Sequence, residues 1–182
     1  MIRHKGSFSA ATARGGFELF GAGKITSIQR GTSVVQPGQA GITVPISPVD
    51  LSKAVLVFSS RTTVSNNEIR NVVFSGVLHE NQIEFLNNET LGEKHIEWEV
   101  IEFEGVHVQR GTYAGPFNNG VLINISPIDV NKSFVLGSFH TNATTVAIVP
   151  TFRIVDSSTI EVRNYSANSL VWVAWQVVEF LQ

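Results

Sequence analysis

The chain contains no cysteine among its 182 residues, which excludes disulfide frameworks, zinc–thiolate sites and thiol nucleophiles. Charge is also sparse, at 15% of residues against 43% apolar, the balance of a globular chain and not of a disordered one. No apolar run reaches the roughly 18 residues that a membrane helix needs, so membrane insertion is not expected. The opening MIRHKGSFSAATARGG has basic residues without an apolar core behind them and does not read as a secretory signal. His4, His79, His95, His107 and His140 show no metal-ligand spacing. No Gly-x-Ser-x-Gly elbow, phosphate loop or dinucleotide fingerprint occurs. These absences point away from an enzyme and imply neither a cofactor nor a metal.

Charge of one sign is missing where nucleic-acid binding would need it. Residues 1–24 carry four basic side chains against Glu18, residues 25–104 carry five basic against ten acidic, and residues 105–182 carry four of each. A folded basic face is the footprint of a nucleic-acid binder, and neither half of the folded region offers one.

What the chain does have is internal repetition. Trp98-Glu99-Val100-Ile101-Glu102-Phe103 returns as Trp175-Gln176-Val177-Val178-Glu179-Phe180, and Gln29-Arg30-Gly31-Thr32 returns as Gln109-Arg110-Gly111-Thr112. Ser47-Pro48-Val49-Asp50 returns as Ser126-Pro127-Ile128-Asp129. The seam falls at Glu104-Gly105, between copy 1 (residues 25–104) and copy 2 (residues 105–182). Ile42, Val44 and Ile46 alternate with polar positions as a half-buried strand does, and Pro45 within that run means that the strand lies at a sheet edge or carries a bulge. Further strands are expected at Ala54–Phe58, Arg70–His79, Gln82–Leu86 and their counterparts. About six short strands per copy, without helical periodicity, predict an all-β chain of two tandem β-sandwich modules. Residues 1–24, rich in glycine, read as a frayed terminus or an extended docking arm, and Phe8, Phe17 and Phe20 as anchors favour the arm.

Several residues invite a chemical reading. The Asp50/Lys53 and Asp129/Lys132 pairs sit in Pro-x-Asp turns, where a carboxylate ordinarily caps nearby amides; calcium would need more clustered oxygens than copy 2 holds. Glu102 and Glu179 share a strand face with their tryptophans, and an acid there needs a partner. Arg30 and Arg110 are the candidates, as structural ion pairs Arg30–Glu102 and Arg110–Glu179. Trp172 stands where copy 1 has His95, while Ala174 and Gln176 replace Glu97 and Glu99. Its strand is apolar on both faces, a pattern that calls for cover on both, by a neighbouring chain or copy; Trp172 itself reads as an interface residue buried by another chain. An aromatic on such a face could instead stack against a sugar ring.

The succession of Gln-Arg-Gly-Thr, Ile-x-Ile-Ser-Pro-x-Asp-x-x-Lys, an apolar strand and Trp-x-Val-x-Glu-Phe resembles a module of bacteriophage virion proteins of the tail-fibre and minor structural type. More loosely, the strand order and closing tryptophan strand resemble the H-type lectin sandwich. The resemblance implies a non-enzymatic virion protein, assembling as a homo-oligomer with a trimer favoured, and meeting other virion proteins through its arm. The lectin likeness implies the alternative of a receptor- or glycan-binding tail protein, with a host-surface glycan as partner.

Overall fold

The computed structural model of the protein describes residues 23–65, 68–116, 120–142, 144, 149–164 and 170–181. The expected arm, with Phe8, Phe17 and Phe20, lies outside the described residues apart from Gly23 and Lys24. Copy 1 comprises β1 (Lys24–Val35), β2 (Gly41–Pro45), β3 (Ala54–Thr62), β4 (Ser75–Leu78), β5 (Gln82–Leu86) and β6 (Lys94–Glu104). Copy 2 comprises β7 (Val106–Pro116), β8 (Val121–Asn124), β9 (Ser133–Thr141), β10 (Thr151–Asp156), β11 (Thr159–Arg163) and β12 (Leu170–Phe180). Each copy is a pair of three-stranded antiparallel sheets. The long sheets run β1-β6-β3 and β7-β12-β9, and the short ones β2-β5-β4 and β10-β11-β8. The tryptophan strands β6 and β12 are therefore central, and β2, which carries Pro45, is an edge strand as the missing donor requires.

The two copies agree in their pairing around the tryptophans, apart from a bulge at Ile25/Ser27 in β1 and one at Ile154/Asp156 in β10 that the other copy lacks. Trp98 lies opposite Gly31 and Phe58, and Trp175 lies opposite Gly111 and Gly137. Glycine recurs at position 31 and position 111 because the indole occupies its side-chain space: a Cβ on Gly31 would stand 2.7 Å from Trp98 Cζ2, and one on Gly111 would stand 2.6 Å from Trp175 Cζ2. A second pairing is conserved in sense but reversed in place. Phe58 of β3 fills the space above Gly76 of β4, whereas in copy 2 Phe152 of β10 fills the space above Gly137 of β9. One ring and one glycine meet across the sandwich in both copies, supplied from opposite sheets.

Alternation of the tryptophan strand builds the cores. Ile96, Trp98 and Val100 pack with Val35, Leu56, Ile83 and Phe85 in copy 1. Val171, Val173, Trp175 and Val177 pack with Val162, Ile160 and Ile128 in copy 2. A third cluster joins the copies: Val55 of β3 against Val106, Val108 and Val178. Gly105 (φ 77°) is the single residue between β6 and β7, a left-handed turn that glycine adopts without strain.

One expected strand is shorter than its sequence suggests. Of Arg70–His79 only Ser75–Leu78 is a strand, preceded by a 3-10 turn at Ile69–Asn71. Asn87 braces the turn, its amide donating to the carbonyls of Arg70 and Val73 at 2.8 and 2.6 Å. The counterpart expected in copy 2 is Thr145–Val155; residues 145–148 lie outside the described residues, and β10 covers Thr151–Asp156.

The indole-over-glycine contact has a direct test. Gly31→Ala and Gly111→Ala should each destabilise the chain by about 1–3 kcal/mol through overpacking, read as lower urea midpoints, with similar losses in the two copies.

Candidate functional site

The expected ion pairs do not form, and strand parity is the reason. Arg30 lies opposite Glu99 in the β1–β6 register and pairs with it at 3.4 Å on the outer face. Glu102 belongs to the inner face, where it accepts from Ser27 Oγ at 2.6 Å and from the Asp50 amide at 2.9 Å. Glu179 likewise accepts from the Asp129 amide at 2.7 Å. Both glutamates thus hold the Pro-x-Asp turns against the last strand. Gln29 and Gln109 hold the same turns from the other side, each exchanging two hydrogen bonds with the backbone of Ser47 or Ser126. Asp50 and Asp129 cap the turns through the amides of Ser52 and Asn131, with Lys53 and Lys132 at 3.1 and 3.6 Å. Hydrogen bonds from Ser52 hold the Asp50 carboxyl down to about 2.

Arg110 has a different fate from Arg30. The outer face of the β7-β12-β9 sheet is covered by β3 and β4 of copy 1, and Arg110 Nη2 donates to the carbonyls of Leu51 and, at 2.7 Å, Ala54. Burial pushes the guanidinium down to about 10. Gln176 faces the free edge of β3 and acts there as a strand partner would: its amide accepts from Leu56 N and donates to Leu56 O, both at 2.9 Å. The Val108 amide donates to Ser52 O at 2.8 Å, and Gly76 N donates to Ser138 Oγ at 3.0 Å. Of the neighbouring chain or copy expected to cover this face, copy 1 of the same chain does so.

Trp172 lies at the rim of this junction, half-buried. Its ring stacks on His140, centroids 4.9 Å apart and planes 7° from parallel. His140 is buried and shares a 2.7 Å hydrogen bond through Nδ1 with Ser75 Oγ of copy 1. Beside them opens a cleft of about 330 Å³ bordered by Tyr113, Trp172, Glu84 and Thr112. Aromatic faces next to a carboxylate and a hydroxyl can stack on and hydrogen-bond a polyol ring. Among the described residues, no group of three metal-ligating side chains converges.

The sequence reading missed Gln176, Ser75 and Ser138 as junction residues. The signal for Gln176 was the exchange of Glu99 for Gln176 between the copies, because an amide, unlike a carboxylate, can both donate to and accept from one backbone unit. It also missed Lys94, fully buried in copy 1, whose ammonium donates to Glu89 O at 2.5 Å. Burial lowers its pKa, and the Glu89 carboxylate opposes that shift.

Two outcomes are expected. Gln176→Glu removes the donor facing Leu56 O and should lower stability by about 1–3 kcal/mol at neutral pH, seen in urea titration. The second concerns acid. Burial brings His140 from 6.5 down to about 4, so between those values the unfolded chain binds more protons than the folded one. Stability should therefore be unaffected above about pH 6.5 and fall as pH drops towards 4, on the order of 2 kcal/mol after solvent screening. His140→Gln should flatten that part of the pH profile in thermal denaturation.

No family model, curated protein or solved structure matches the chain.

Proposed function

We propose that the protein is a non-enzymatic structural component of a bacteriophage virion (tail, fibre, adaptor or capsid decoration) that acts as a homo-oligomer. One observation carries the structural part of this reading: apart from Arg30, which is 65% exposed on the outer face, the residues of the recurring signatures that bear polar or turn chemistry are consumed in holding the fold. Gln29 and Gln109 bind the turns, Gly31 and Gly111 seat the indoles, and Glu102 and Glu179 cap the turn amides. A repeated active site would instead leave its recurring polar groups open to a cleft. The virion part is supported by the resemblance of the Gln-Arg-Gly-Thr and Trp-x-Val-x-Glu-Phe modules to phage structural proteins. Antiserum against the purified chain should label phage particles in immunogold electron microscopy. Antigen found only in the particle-free fraction of the lysate would contradict the reading.

A receptor- or glycan-binding tail protein is the second reading, favoured by the cleft that Trp172, Tyr113 and Glu84 border. Quenching of tryptophan fluorescence by a glycan, abolished in Trp172→Ala, would support it. A glycan array without a hit would count against it.

A further inference from the structure

The junction between the copies joins two different surfaces, the outer face of one long sheet and the β3–β4 side of the other module. Such a face-to-edge contact is heterologous, so each chain carries one further copy of both halves. The open face belongs to copy 1. There Ile28, Arg30, Glu97, Glu99 and Ile101 occupy the places of Val108, Arg110, Ala174, Gln176 and Val178 in the shared register. It forms a groove of about 490 Å³; in copy 2 the corresponding groove is occupied by Gly76, Val77 and Leu78 of β4, and only about 110 Å³ is left. The open edge belongs to copy 2. It is the start of β9 and β10, where Phe134, 40% exposed, takes the place of Val55, and Arg153 takes the place of Val77.

We propose that chains associate head to tail, the β9–β10 edge of one docking in the copy 1 groove of a second copy by the contact that already joins the two modules. This deepens the homo-oligomer part of the proposed function and is independent of the virion part. Charge argues for it. The internal contact sets Val77 beside Ala174 and Gln176, all uncharged, and the charge that lines it, Arg110, has its counterpart Arg30 in the open groove as well. The open surfaces differ from it by Glu97 and Glu99 on the face and by Arg153 on the edge, so the substitutions compensate one another across the contact. Arg153 is 65% exposed and held at 2.5 Å by Glu161, and Arg30 is 65% exposed beside Glu99. Both can exchange these partners on docking. Arg30 would then reach the carbonyls of Val130 and Ser133, as Arg110 reaches those of Leu51 and Ala54. Phe134 would pack on Ile28 and Ile101, and Ser59 would accept from the Phe152 amide, as Ser138 accepts from Gly76. Glu99 supplies only the acceptor of the two bonds that Gln176 makes. The contact between chains is therefore weaker than the one within a chain.

Sedimentation velocity across protein concentration tests the proposal on the full chain. The wild type should self-associate, less so at high salt because the pairs at the groove rim are screened. Arg153→Glu and Glu97→Arg, both at exposed positions, should each weaken association about tenfold or more while circular dichroism stays unchanged. The double variant Glu97→Arg/Arg153→Glu, and an equimolar mixture of the two single variants, should recover it. A wild type that stays monomeric at hundreds of micromolar overturns both this proposal and the homo-oligomer reading. An oligomer indifferent to both single variants overturns the head-to-tail contact alone.

Discussion

The structure depends on a sheet face that cannot be left to water. Val106, Val108 and Val178 project from the outer side of the β7-β12-β9 sheet and would expose a continuous apolar patch if copy 2 stood alone. Val55 covers them, and around it the polar groups are matched one by one: Arg110 to two carbonyls, Gln176 to Leu56, Ser138 to Gly76. Apolar burial supplies the drive and is non-directional; the hydrogen bonds fix the registration, because a shifted module would strand a buried guanidinium. Modules of about 80 residues sit near the size at which burial only just exceeds chain entropy. Their packing against each other is accordingly part of how each is stabilised.

The repeat was legible in the sequence because the residues that recur are those with no substitute. Only glycine fits beneath Trp98 and Trp175, and only a side chain of glutamine's length and dual chemistry can exchange two bonds with the Ser47 or Ser126 backbone. Pro45 announced an edge strand for the same reason. The Arg30–Glu102 pairing failed because it matched charges without counting strand parity. Once Gly31 lies under Trp98, Arg30 must face the other way, and Glu99 is the acid it meets.

The junction was less legible, since most of its bonds run from side chain to backbone and leave no pairwise pattern in the sequence. The differences between the copies were the readable trace: Ala174 and Gln176 where copy 1 has Glu97 and Glu99, and His140 where it has Arg61. Phe58 and Phe152 make the opposite point. They stand at non-equivalent positions, yet meet glycines at the positions each leaves, so the volume is conserved while the sequence match is lost.

The two copies form one body through this face-to-edge contact. Hydrogen–deuterium exchange resolved to single amides addresses it most directly, at the amides of Leu56, Gly76 and Val108, which donate across the junction. They should be protected to a degree comparable with the central strands β6 and β12. Rapid exchange at all three, with β6 and β12 still protected, would mean that the modules fold but do not hold each other.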